Sequence, residues 1–128
     1  MKITITTMLL ALCLPAMAQN TAGTPVAWST NYTGNDIISP CKQAVVDLDE
    51  NSSKWEHGEN NAYWVGLCKG IVAGTVGGMP VSEVDLQGTN QGQVIRVVEN
   101  YLQSHPELLN KDAGWLVRQA LKKAFPPK

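Results

Sequence analysis

Once an export-like leader is set aside, two cysteines remain, Cys41 and Cys68, and in an oxidising compartment one such pair makes one bridge around which the rest must fold. The leader comprises residues 1 to 18. Lys2 gives the positive start, residues 8 to 14 are an unbroken apolar run, and Ala16-Met17-Ala18 places small residues before a cut at Gln19. The run is far shorter than the ~20 residues that cross a bilayer, so a cleaved signal peptide is expected rather than an anchor, with no membrane span. Cys13 leaves with it, and bulky Leu12 disfavours lipid attachment there. The remaining 110 residues are too few for two domains. Closing the Cys41–Cys68 loop contributes roughly 3 to 4 kcal/mol in the chain-entropy model, a large share of the stability of so small a domain.

Beyond the leader the chain keeps 9 of its 10 basic residues against 11 acidic ones, a net charge of −2. That balance lacks the basic footprint of a phosphate-binding surface, so nucleic acid is excluded as an expected partner. Residues 19–36 are polar, rich in Thr, Asn and Gly, and are expected as an extended arm anchored by Trp28 and Tyr32. Residues 37–128 are expected as one helical domain.

Four segments carry a helical period. Ser39-Pro40 suits a helix start, and Cys41, Ala44, Val45 and Leu48 then recur on one face. A second helix is expected over about 60 to 75. Its Gly66, Gly70 and Gly74 share a face that predicts close approach of a neighbouring backbone, and its Tyr63, Trp64 and Leu67 are read as packing residues. Asn90 with Gln93 forms a capping box for a third helix bearing Val94, Val97, Val98, Tyr101 and Leu102, which His105-Pro106 ends. Ala113, Leu116, Val117, Ala120, Leu121 and Ala124 form the fourth stripe, stopped by Pro126. No segment alternates with period two. The expected fold is all-α, a compact four-helix bundle-like domain with one disulfide joining its first two helices.

Chemistry is sparse. A nucleophile needs a base, and the two candidate cysteines are expected to be oxidised while His57 and His105 have no partner at a telling spacing. His57, between Glu56 and Glu59, falls short of the three or four ligands of a zinc site. There is no Gly-x-Ser-x-Gly turn and no phosphate loop. Neither catalysis, nor a metal, nor a cofactor is expected, and the outline is that of a binding module.

Three stretches in order make the sequence recognisable: residues 64–74, with Cys68-Lys69-Gly70 and Gly74; residues 97–107, with Tyr101-Leu102 and His105-Pro106-Glu107; and Leu116-Val117 through Ala120-Leu121 to Ala124-Phe125-Pro126. Together they resemble the Tai/Rap immunity family of type VI secretion systems, small periplasmic proteins that neutralise peptidoglycan amidase toxins. Many members carry a second bridge, from just before the third helix to just after Phe-Pro. Here those places hold residues around Leu86 and Pro127, and both halves are missing.

The resemblance implies a periplasmic immunity protein that binds a cognate amidase and fills its cleft; self-association into a homodimer is compatible with that role. A helical acid-activated chaperone of the HdeA type is the alternative from another class, although the matched motifs do not belong to it. Since helices are committed to one another, the partner is expected at loops. The first candidate is the segment 79–89, where Glu83 and Asp85 could pair with a cationic His in a cleft that the resemblance gives a Cys and a His, and Leu86 could anchor. The second is Trp55, His57 and Glu59.

Overall fold

A computed structural model describes residues 31–49 and 59–128. The leader, the arm as far as residue 30, and Trp55 and His57 lie outside the described residues, as does the side chain of Glu59. The described residues form four α-helices, α1 (Gly34–Asp49), α2 (Glu59–Gly77), α3 (Gln91–Ser104) and α4 (Ala113–Ala124), with a 3-10 turn at Pro106–Leu108. Among them no strand forms, only an isolated antiparallel bridge between Thr33 and Asp112. The all-α class with one disulfide is as the sequence indicates. No helix among the described residues is long and apolar enough to cross a membrane.

Helix α1 packs against the other three. Its Ile37, Cys41 and Ala44 are fully buried and meet Val65, Cys68 and Val72 of α2, Ile95, Val98 and Leu102 of α3, and Leu116, Val117 and Leu121 of α4 in one core. The Cys41–Cys68 disulfide crosses it with both cysteines buried and a Cα–Cα distance of 5.0 Å. Lys69 donates to Asp47 at 3.0 Å along the same seam. The capping box of α3 is present, Asn90 accepting from the Gln93 amide while Gln93 accepts from that of Asn90. Helix α3 ends at His105, whose Nδ1 lies 2.8 Å from the Tyr101 carbonyl oxygen and whose ring stacks on Tyr101.

Three expectations are corrected. Helix α1 begins at Gly34, not at Ser39, and Pro40 lies inside it. Asp36 accepts both the amide and the hydroxyl of Thr33, while the amides of Gly34 and Asn35 donate to the carbonyls of Lys111 and Leu109. The orphan amides of the first turn are thereby satisfied one turn before Ser39. Next, Gly66, Gly70 and Gly74 face outward, and a methyl group built on any of them would touch none of the described residues within 4 Å. Finally, Tyr63 and Trp64 are exposed, at 59% and 46%, rather than packed in the core. One cause serves both: the buried ridge of α2 runs Val65–Cys68–Val72, at i, i+3 and i+7, which rotates the glycines and Tyr63 to the far side.

Candidate functional site

The segment between α2 and α3 is held as a chain of tight turns. Gly78 donates to the Gly74 carbonyl and Met79 to that of Val76, closing the end of α2. Glu83 donates to the Pro80 carbonyl at 3.0 Å, so Val81 and Ser82 occupy the corner of a β-turn. Asp85 accepts from the Gln87 amide, Gly88 takes the left-handed conformation at φ 76°, and Thr89 donates through both amide and hydroxyl to the Leu86 carbonyl. Buried Met79 and Val84 pin the segment to the core and Leu86 packs partly against it. Between the two buried residues, Val81 stands 93% exposed, an apolar side chain held out by a rigid turn.

The carboxylates of this segment face their own protein. Glu83 lies 3.6 Å from Lys122 and 4.0 Å from Arg118, both on α4. Its buried Oε2 accepts no hydrogen bond, so these are charge contacts that fix the turn against the helix. Asp85 pairs with Lys128 at 3.0 Å, and its amide donates to the Phe125 carbonyl at 3.0 Å, so the segment is tied to the C-terminus twice. Lys128, together with the Gln87 amide, holds the Asp85 carboxyl below its usual range. Of the sequence-derived partner candidates, Glu83, Asp85 and Leu86 therefore come together on one segment.

Sequence reasoning passed over Val81 and Trp115. Trp115 is 43% exposed on the first turn of α4, where Asp112 caps by accepting from its amide. Helical spacing puts it at i, i+3 and i+7 with Arg118 and Lys122, the residues that seat the turn. Exposed Val81 stands two residues before Glu83, and exposed Trp115 one turn before Arg118, so each is next in its own element to one side of these charge contacts. The signal in the sequence was an apolar residue between Pro80 and Ser82, where a turn normally carries polar ones.

Among the described residues no group of His, Cys, Asp and Glu is gathered to hold a metal. What the surface offers is a fixed apolar point, an exposed tryptophan and a rim of charges, the anatomy of a protein-binding face. No match to the chain was found among curated proteins or among solved structures. A family model described as Rap1a immunity proteins matches residues 33–127, the whole of the helical domain as the structure describes it, and the chain belongs to that family.

Proposed function

We propose that this protein is a periplasmic immunity protein that binds a peptidoglycan amidase effector of type VI secretion and occludes its cleft with the turn at residues 80–83. Membership in an immunity family implies a toxin as partner. The observation that carries the finer reading is the turn itself: Val81 is held out at 93% exposure by a segment pinned through Met79 and Val84. Pre-organisation of this kind lowers the ordering cost of binding. Val81 leads into the cleft, Trp115 packs at its edge, and Glu83, Asp85 and Leu86 hold the turn at the interface. Inhibition needs no chemistry of its own, since occupying the cleft excludes the substrate.

The test is titration calorimetry against the amidase encoded beside this gene. Val81→Asp is expected to weaken binding by at least about 2 kcal/mol, roughly thirtyfold, because it drives a charge into an apolar contact. Its thermal stability should be unchanged, since the side chain is in water already. Unaltered affinity in both Val81→Asp and Trp115→Ala would refute the turn-centred interface and move attention to Trp55, His57 and Glu59.

A further inference from the structure

The described residues expose five large apolar side chains, and three of them, Tyr32, Tyr63 and Trp64, line a single cavity of about 470 Å³ between the N-terminal halves of α1 and α2. None of its lining residues belongs to the turn or to the charged seat on α4, although the Tyr32 carbonyl accepts from the Ala113 amide at the start of that helix. The core makes no use of these rings, because α2 buries its opposite side. Tyr63 and Trp64 stand edge to face, with centroids 5.0 Å apart and planes at 76°, so the two rings wall the cavity at an angle to each other.

The rest of the lining narrows the ligand. Among the described residues no lysine, arginine or histidine lines the cavity, so they offer a phosphate or nucleotide no countercharge. Its one acid is Asp36, whose carboxylate accepts from Thr33 and is held below its usual range by those bonds. One carboxylate already engaged in a helix start does not make a metal site. The other polar groups include three primary amides, Asn35, Gln43 and Asn61, each offering both donors and an acceptor. A peptide that binds by strand addition would need an open sheet edge, and the described residues contain no sheet. An amphipathic helix would need an apolar groove, whereas amides line this cavity alongside the rings.

Aromatic faces beside neutral donor-acceptor groups fit the apolar C–H faces and the hydroxyls of a sugar. We infer that the cavity binds an uncharged N-acetylated saccharide of one or two rings, stacked on Trp64 and Tyr63 with its acetamido and hydroxyl groups on the amides. The volume lies within the ~300–1,000 Å³ of small-ligand sites. The ligand class is read from the cavity alone; its source, the glycan of the cell wall, rests on the periplasmic reading above.

The experiment titrates the ¹⁵N-labelled, oxidised protein with triacetylchitotriose and, in parallel, with maltotriose, which has no acetamido group. Expected are shifts at the Trp64 indole and at the side-chain amides of Asn35, Gln43 and Asn61, with a much weaker response to maltotriose. Trp64→Ala and Asn61→Ala should each weaken binding at least about tenfold, Trp115→Ala should leave it unchanged, and all three should melt as the parent does. No shift at Trp64 with about 10 mM triacetylchitotriose, or equal binding by Trp64→Ala, overturns the proposal. The titration contains no toxin, so its failure and that of the turn-centred interface are separate results. Trp64→Ala that loses toxin affinity while the parent ignores the saccharide would assign the cavity to the protein partner and overturn the sugar site.

Discussion

Glycine to alanine substitution should have opposite signs at two positions of this fold. At Gly34 a Cβ would stand 2.5 Å from Leu116 Cδ1 and 2.9 Å from the Cα of Leu109. The leucine methyl could rotate away, but the Leu109 contact is backbone. Relief requires α1 to move off the 106–111 segment, which strains the bonds from Gly34 to Lys111 and from Asn35 to Leu109. Overpacking of this kind costs about 1–3 kcal/mol, and each weakened hydrogen bond adds about 0.5–1.5 kcal/mol. The propensity gain at a first-turn position is smaller than the ~1 kcal/mol of a helix interior, so the net effect is a loss of about 1–5 kcal/mol. At Gly70, in the middle of α2, nothing lies within 4 Å, and alanine should gain about 1 kcal/mol. Urea denaturation of the oxidised protein followed by circular dichroism measures both, and midpoint shifts of opposite direction at constant slope are expected. A neutral or stabilised Gly34→Ala would show that α1 is not clamped where the distances put it. A destabilised Gly70→Ala would show that the outer face of α2 is covered.

Two further outcomes are expected. Replacing Cys41 and Cys68 together by Ala should lower stability by about 3.5 kcal/mol, the chain-entropy value for their 27-residue separation, and steepen the denaturant dependence as the unfolded chain expands; a loss below about 1 kcal/mol would contradict it. Asp36, Asp49 and Asp85 are all held below the ordinary carboxylate range, chiefly by hydrogen bonds from Thr33, Arg96 and Lys128 respectively. A depressed folded value means the contribution is complete above the unfolded value of about 3.9 and is lost as pH falls through the folded one. Urea midpoints should therefore fall as pH drops below about 4, and Lys128→Ala should shrink that fall. Opening of the core already at pH 5 would instead favour the acid-activated chaperone.

The helix count, the α3 capping box and the bridge were legible because each rests on local chemistry: a period, a side chain reaching three residues, a cysteine pair. The rotation of α2 was not read, since its apolar residues run all the way round and no stripe marks a face. Yet the bridge contained the answer. Burying Cys68 places Gly70 about 200° away at 100° per residue, so the glycines and the cysteine could not both face the core. The start of α1 was hidden for a different reason: the carbonyls that satisfy its first amides come from residues 109 and 111, some 75 residues along the chain. The exposed cluster of Tyr32, Tyr63 and Trp64 was hidden likewise, because it depends on how two helices are turned towards one another.

The missing second bridge bears on how the turn at residues 80–83 is held. The resemblance implies that in many members a covalent link joins the segment before the third helix to the residues after Phe-Pro. Here the same two stretches remain joined without it: the Asp85 amide on the Phe125 carbonyl, the Asp85 carboxylate on Lys128, and Leu86 and Phe125 both against the core. The backbone bond sets the register, and the ion pair closes the end that a disulfide would have closed. A surface pair of this kind contributes little and is screened by salt, whereas a bridge is not screened. The Cys41–Cys68 bridge and the apolar contacts of Met79 and Val84 do not depend on salt, while the ion pairs of Glu83 and Asp85 beside the turn are contacts that salt and acid can weaken. If the proposed interface holds, salt sensitivity should accordingly reside in partner binding through the turn and not in the unfolding of the bundle, which would separate the part of this fold that maintains the structure from the part proposed to meet a toxin.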